Sequence, residues 1–199
     1  MEARIHGIIS YICSHPNTKL LDVSIADNFS VKRIAFTILN PQNSSLPVSD
    51  IVRVTGYGKY LKLIHGITGI LRSTINTARY PIHIIGLGFT RRAITQLKVY
   101  YMLRRFDKEA LRKEVVMGKI DQMHSWKAIK KILKELRCED QIPKVENIFA
   151  EMSGGGFTIE FLGLNLERGK SPSLKLYFKP KADLSIKANR NELSTLLLK

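Results

Sequence analysis

The predicted fold is decided by residues 51–94, which begin IVRVTGYGK (51–59) and end IHIIGLGFTRRAI (82–94). The β-branched runs at 51–54 and 82–85 are typical of short strands, and glycines follow each run. Between them, from Tyr60 to about Thr77, apolar residues recur at helical spacing. This stretch therefore predicts a strand, a helix and a second strand.

A second helix is predicted after residue 90, where apolar residues return at helical spacing, namely Ala93, Ile94, Leu97, Tyr100, Tyr101 and Leu103. The resulting β-α-β-α order implies a right-handed crossover and two parallel strands. Parallel strands end at the same edge of a sheet. We therefore expect the two glycine-containing loops, 56–59 and 86–92, to lie side by side.

Both loops combine glycine with positive charge, and each leads into a predicted helix. Lys59 belongs to the first loop, and Arg91 and Arg92 belong to the second. Free backbone N–H groups and the positive end of the helix dipole favour phosphate at such positions. The alternative is that the glycines only permit a sharp turn. Tyr57 and Phe89 are candidates either for stacking on unpaired bases or for packing in the core.

The charge of the chain is strongly positive and unevenly distributed. Its 199 residues include 32 Lys and Arg against 17 Asp and Glu, a formal net charge of +15. Residues 51–106 contain ten basic residues and no Asp or Glu, whereas residues 1–50 have no net charge. Because solvated surfaces normally mix both signs, an acid-free stretch of this length indicates a polyanionic partner. We expect RNA first, with DNA as the alternative.

Further elements are predicted on both sides of this basic core. They are a helix within 1–12, a strand pair at 20–25 and 31–39, a loop at 40–50, helices within 107–140 with Ser125 as an N-cap, and strands at 147–152, 157–166 and 174–178. The expected domains are an N-terminal extension (1–50), a nucleic-acid-binding domain (51–178) with a helical insertion (107–140), and a basic tail (179–199).

Other classes of protein find little support in the sequence. Cys13 and Cys138 lack close cysteine partners and the five histidines lack metal-ligand spacing, so we expect neither disulfides nor a bound metal. No apolar run is long enough to span a membrane, and the N-terminus lacks the features of a secretory signal. No nucleophile or carboxylate pair has a recognisable catalytic setting. We expect a non-catalytic intracellular protein without a cofactor; nucleus, cytoplasm and organelle matrix remain open.

The strand and loop sequences quoted above resemble the Alba superfamily over residues 51–106. The resemblance implies an α+β fold of β-α-β-α-β-β order in two layers, dimerisation, and DNA or RNA binding through the two loops and a basic hairpin near 167–173. Charge and resemblance together indicate these nucleic-acid-binding residues: Arg53, Gly56, Tyr57, Gly58, Lys59, Lys62, Gly86, Gly88, Phe89, Thr90, Arg91, Arg92, Arg168 and Lys170.

The function expected from the sequence is that of a non-catalytic RNA-binding subunit of a ribonucleoprotein. A particle similar to RNase P or RNase MRP, or a divergent ribosome, would fit that expectation. Protein partners, in a complex or as a homo- or heterodimer, are also expected. The alternatives are a chromatin-type DNA-binding protein and, third, an enzyme that acts on RNA.

Overall fold

The computed structural model describes residues 2–14, 18–25, 32–38, 48–77, 81–90, 93–105, 122–180 and 195–197. The helices in these residues are α1 (Glu2–Cys13), α2 (Val48–Val54), α3 (Leu61–Ile75), α4 (Gln122–Glu135) and α5 (Ile142–Gly154), with short 3-10 turns at Gly58–Tyr60 and Glu139–Gln141. The strands are β1 (Thr18–Ile25), β2 (Lys32–Ile38), β3 (Ile82–Phe89), β4 (Ile94–Met102), β5 (Phe157–Glu167), β6 (Ser173–Pro180) and β7 (Thr195–Leu197). The expected α+β class is confirmed.

These strands form one antiparallel sheet in which each strand lies beside its neighbours in the sequence, from β1 to β7. Helices precede each of the first three hairpins, so the chain runs as three consecutive αββ units. The units are α1-β1-β2, α2-α3-β3-β4 and α4-α5-β5-β6. Residues 1–50 thus contribute two strands to the same sheet as the later units.

The strand predicted at 51–54 is wrong, because these residues belong to helix α2. Val48, Ile51, Val52 and Thr55 are buried at positions i, i+3, i+4 and i+7, which places them on one helix face. Three of the four residues at 51–54 are β-branched, which favours a strand. The burial of Val48 and Thr55 extends the pattern beyond this run and reveals the helical period.

The helix predicted after residue 90 is also wrong. Leu97, Val99 and Tyr101 are fully buried and alternate with partly exposed residues, so the burial period is two and the segment is strand β4. Since β3 and β4 are antiparallel neighbours, the expected parallel pair and the β-α-β-α-β-β order are not found in the part of the chain that the structure describes.

The remaining predictions have mixed outcomes. Residues 147–152 lie in α5 rather than in a strand, because Val145 and Phe149 are buried one helical turn apart. Ser125 is buried inside α4 and is not its N-cap. The predicted strands at 157–166 and 174–178 are confirmed, as are the first helix, the helix within 60–77 and the N-terminal strand pair. Residues 106–121 and 181–194 lie outside the described residues.

The hydrophobic core lies between the helices and one face of the sheet. In β4, for example, Leu97 and Tyr101 enter the core, and the Tyr101 hydroxyl donates a hydrogen bond of 3.4 Å to the carbonyl oxygen of Ile64 in α3. The intervening strand residues point to the opposite side, because strand side chains alternate. We call that side the open face; it carries Arg33, Ala35, Thr37, Gly86, Gly88, Gln96, Lys98, Tyr100, Gly163, Asn165, Lys175 and Tyr177.

A partly buried ion cluster stabilises one end of the sheet. The Glu160 carboxylate accepts hydrogen bonds from Arg104 and, at 2.9 Å, from Lys179 Nζ. Burial opposes ionisation, but these hydrogen bonds outweigh it and hold the pKa of Glu160 below its ordinary value. Because the pKa is lower in the folded chain, this stabilisation is present above the ordinary carboxyl pKa and is lost as pH falls through the folded value.

Glu160→Gln is therefore expected to lower the free energy of unfolding by about 2 kcal/mol at neutral pH. The difference from wild type should shrink as pH falls below the ordinary carboxyl pKa, because the wild-type carboxylate becomes protonated as pH approaches its lowered folded pKa. Urea unfolding at pH 7 and pH 3 measures both quantities. The exposed helix residue Glu151, changed to Gln, is the control and should have little effect. An equal loss at both pH values would contradict the assignment.

Candidate functional site

The second strand of each αββ unit carries the same pattern of four residues. A basic residue on the open face is followed by a buried aliphatic residue, a second open-face residue and a buried aromatic residue. The three copies are Arg33-Ile34-Ala35-Phe36 in β2, Lys98-Val99-Tyr100-Tyr101 in β4 and Lys175-Leu176-Tyr177-Phe178 in β6. The core fixes the buried positions, and the alternation of the strand then presents the basic residue on the open face.

The strand register brings the three units into one arrangement. Lys98 lies opposite Gly86, which lies opposite Ala35. One unit further along, Lys175 lies opposite Gly163, which lies opposite Tyr100. Neighbouring basic strands are separated by one intervening strand, or about 10 Å, so Arg33 on β2 and Lys175 on β6 are about 19 Å apart across the sheet, with Lys98 between them. The charges of both outer residues act on Lys98, which lies between them.

The surroundings of Lys98 are electropositive. Burial lowers the pKa of Lys98, and the nearby charges of Lys175 and Arg33 lower it further. The charge of Glu167 acts in the opposite direction and raises this pKa. Within the described residues no carboxylate forms a salt bridge with Arg33, Lys98 or Lys175. Holding like charges together is unfavourable in an empty site and favours binding of an anion.

The acid that acts on Lys98, Glu167, is occupied by other groups. Its Oε1 accepts hydrogen bonds of 2.9 Å from Gln96 Nε2 and from Asn165 Nδ2, and its Oε2 lies 2.6 Å from Lys170 Nζ. Hydrogen bonds from Lys170 and Asn165 hold the pKa of Glu167 below its ordinary value. Glu167 is therefore ionised at neutral pH, with Lys170 as its counter-ion.

Two tyrosines of the repeated pattern meet over a glycine. The ring centroids of Tyr100 and Tyr177 are 5.6 Å apart. A Cβ atom at Gly163 would lie 3.0 Å from Tyr177 Cε2 and 3.6 Å from Tyr100 Cδ1, so glycine is needed for the rings to lie low over the sheet. Burial raises the pKa of Tyr177, and the proximity of Tyr100 raises it further. Its hydroxyl stays protonated at neutral pH.

A recess of about 210 Å³ opens beside Lys98 on the same face. Its lining includes the charged and amide side chains of Arg33, Lys98 and Gln96, the ring of Tyr100, and the small residues Ala35 and Gly86. Ligand sites are typically concave, with a few convergent polar groups among carbon surfaces. The recess and the adjoining cations have this character.

The first predicted loop, 56–59, follows helix α2. Tyr57 is only 2 % exposed, so it packs in the core and is not free to stack on a base. Gly56 has φ +84°, a conformation that favours glycine, which accounts for it as a turn residue. Lys59 is exposed, with its Nζ 4.9 Å from the centre of the Tyr60 ring.

The second predicted loop is mostly strand. Gly86 and Gly88 lie within β3, and Phe89 is buried, which excludes it from stacking on a base. The Thr90 N–H donates a hydrogen bond of 2.9 Å to the Ala93 carbonyl oxygen at the β3–β4 turn. Arg91 and Arg92 lie outside the described residues.

Arg168, at the β5–β6 turn, joins the predicted elements. Its N–H donates to the Thr95 carbonyl oxygen at 3.2 Å, and its guanidinium would lie 3.3 Å from a Cβ atom at Gly56. The charge of Arg168 also acts on Tyr57, whose pKa is nevertheless raised by burial. The 56–59 loop, the β3–β4 turn and the β5–β6 turn therefore meet at one end of the sheet, although through antiparallel hairpins.

Of the other predicted residues, Gly58 and Lys170 belong to the 56–59 loop and the β5–β6 turn, and Arg53 Cγ would lie 3.7 Å from a Cβ atom at Gly58. Arg53 forms an exposed ion pair with Asp50 at 3.0 Å, and Lys62 is exposed on α3. Gly58 begins a 3-10 turn, and Lys170 neutralises Glu167 as described above.

The sequence predictions missed the central residues of the open face. Arg33, Lys98 and Lys175 are not among the residues that the sequence predicts for the site, and Tyr100 falls in a predicted helix. The signal that could have found them is the basic–aliphatic–variable–aromatic pattern, which occurs three times. It was hidden because its copies are 65 and 77 residues apart, counted between the basic residues.

The chain matches neither a family model nor a curated protein. No helix among the described residues is long and apolar enough to cross a membrane. The same residues contain no cluster of three or more His, Cys, Asp or Glu side chains that could hold a metal ion.

Proposed function

We propose that the open face binds a small organic phosphate, with a diphosphate ester as the best match, through Arg33, Lys98 and Lys175. The observation that carries this proposal is that the charges of Arg33 and Lys175 both act on Lys98, and that none of the three has an ion-paired carboxylate in the described residues. A phosphate monoester carries about −1.5 to −2 charges at neutral pH. Three cations exceed what one phosphate neutralises and match two linked phosphates.

The tyrosine pair indicates what chemistry such a site supports. The π faces of Tyr100 and Tyr177 attract positive charge, while the cations stabilise negative charge on phosphate oxygens. In an ester whose C–O bond breaks with the electron pair leaving on the diphosphate, both developing charges are stabilised. The face therefore suits transfer of a carbon group from a diphosphate to a nucleophilic acceptor. Such activity would overturn the prediction of a non-catalytic protein.

The test is calorimetric titration of the full chain with inorganic pyrophosphate, then with dimethylallyl diphosphate. We expect saturable one-site binding of both, weakening as salt is added, since the contacts are ionic. Release of pyrophosphate from the bound ester faster than without protein would identify transfer chemistry. No binding of either compound at millimolar concentration would overturn the proposal.

RNA binding, within a ribonucleoprotein, is the second candidate function, and the acid-free stretch 51–106 favours it. Lys59, Lys62, Arg105 and Arg168 are exposed, and the first and last belong to the elements that meet at one end of the sheet. Burial of Tyr57 and Phe89 removes the argument from base stacking, and the antiparallel order removes the argument from Alba topology. The support that remains is electrostatic, and it applies to duplex DNA as well.

Competition separates the two candidates. If the chain is an RNA-binding protein, log K for a structured RNA should fall with log salt by about 0.7 to 0.9 per neutralised phosphate, and millimolar pyrophosphate should displace RNA only as an equal ionic strength of sodium chloride does. Displacement by pyrophosphate far beyond that salt effect would locate both ligands on the open face. RNA affinity that does not depend on salt would contradict the second candidate.

A further inference from the structure

Two rows of cross-strand neighbours on the open face occupy equivalent places in the repeated units but differ in one side chain. In the row Tyr100–Gly163–Lys175, the tyrosine ring extends over the glycine and meets Tyr177. The corresponding row of the preceding unit is Ala35–Gly86–Lys98. Ala35 therefore stands where the repeated pattern has tyrosine in both other copies.

The recess lies where that tyrosine is missing. Ala35 and Gly86 both line it, as do Lys98 and Tyr100. A Cβ atom at Gly86 would already lie 3.4 Å from Lys98 Cβ and 3.8 Å from Tyr100 Cε2, so these side chains stand directly over the glycine. The volume of about 210 Å³ exceeds the roughly 150 Å³ of an apolar protein cavity that holds benzene. A compact organic group fits within it.

We infer that this recess holds the organic part of the phosphate ligand and that Ala35 sets the size of the group accepted. The inference rests on the proposed function, because the cations that would hold the phosphate, Arg33 and Lys98, also line the recess. A ligand anchored there by its phosphate has its organic group against Ala35, the backbone at Gly86 and the Tyr100 ring. Carbon surfaces at these positions make the recess selective for an apolar or aromatic group of limited size.

The test compares four anions: inorganic phosphate, inorganic pyrophosphate, phenyl phosphate and 1-naphthyl phosphate. The wild-type chain should bind the two aryl esters more tightly than inorganic phosphate. Ala35→Tyr should weaken binding of the aryl esters by at least about tenfold, because the new ring fills the recess. Pyrophosphate affinity should fall much less, since pyrophosphate has no organic group to enter the recess.

Thr37→Tyr is the matched control, because Thr37 lies two residues further along β2 on the same face and outside the recess. It should leave aryl ester binding unchanged. Ala35→Leu, a smaller increase in volume, serves if the tyrosine variant fails to fold, and it should affect naphthyl phosphate more than phenyl phosphate.

The outcomes separate this inference from the proposed function. If wild-type chain does not bind pyrophosphate, the proposed function fails, and this inference fails with it. If pyrophosphate binds but the position 35 variants do not discriminate aryl esters from pyrophosphate, the proposed function stands and the assignment of the recess is overturned.

Discussion

Replacing Lys98 and Lys175 together with glutamine should weaken pyrophosphate binding by about 10²- to 10⁴-fold. Each replacement removes a charge-assisted hydrogen bond worth about 1.5 to 3 kcal/mol, and each 1.4 kcal/mol is about tenfold in affinity. Calorimetry measures the loss directly. The paired control is Lys127→Gln with Lys134→Gln, which removes the same charge from the exposed surface of α4 and should change affinity little.

The same double variant should be at least as stable as wild type. Burial and the charges of Lys175 and Arg33 lower the pKa of Lys98. The positive charge of Lys98 therefore destabilises the folded chain relative to the unfolded chain. For a lysine whose folded pKa is lowered, this destabilisation is present below the folded pKa and disappears as pH rises above the unfolded value. A melting temperature well below wild type would show that the lysines stabilise the fold and are not held there for a ligand.

Tyr101→Ala should lower the free energy of unfolding by about 4 kcal/mol, because it empties a fully buried aromatic site and removes the contact with Ile64. The adjacent substitution Tyr100→Ala, on the open face, should cost less than about 1 kcal/mol. Urea unfolding of the two variants tests the assignment of the faces. Equal losses would contradict a strand at this position, because neighbouring residues of a strand face opposite sides.

The two tyrosines also show why part of the fold could not be predicted. Tyr100 and Tyr101 satisfy a helical spacing with Ala93, Ile94 and Leu97, and adjacent apolar residues obscure a period of two. Only pairing with β3, the preceding strand, and with β5, which is distant in sequence, decides between the two periods. By contrast, α3 has a wide apolar stripe of its own over 15 residues, and the β5–β6 pair has clear alternation on both sides of a turn at Gly169, so both were predictable.

The candidate site, like the fold, could be predicted from the sequence only in part. Charge alone identified a basic region, and the 56–59 loop does contact Arg168 at the β5–β6 turn. The roles assigned to Tyr57 and Phe89 depend on which side of the sheet each occupies. The strand at 82–85 is predicted correctly, but the strand predicted at 51–54 is helix α2, and β3 continues to Phe89 where a loop is predicted. The relative positions of the open-face cations depend on the register between strands whose basic residues are up to 77 residues apart from one copy to the next. No local sequence pattern specifies that register.

The repeated pattern has a consequence for how such a protein can evolve. Within each copy, the buried aliphatic and aromatic residues are constrained by the core, whereas the residue between them lies on the open face, outside the core. A substitution at position 35, 100 or 177 can therefore alter the shape of the ligand site while the core stays intact. Selection for a new ligand and selection for a stable fold act on alternate residues of the same strand.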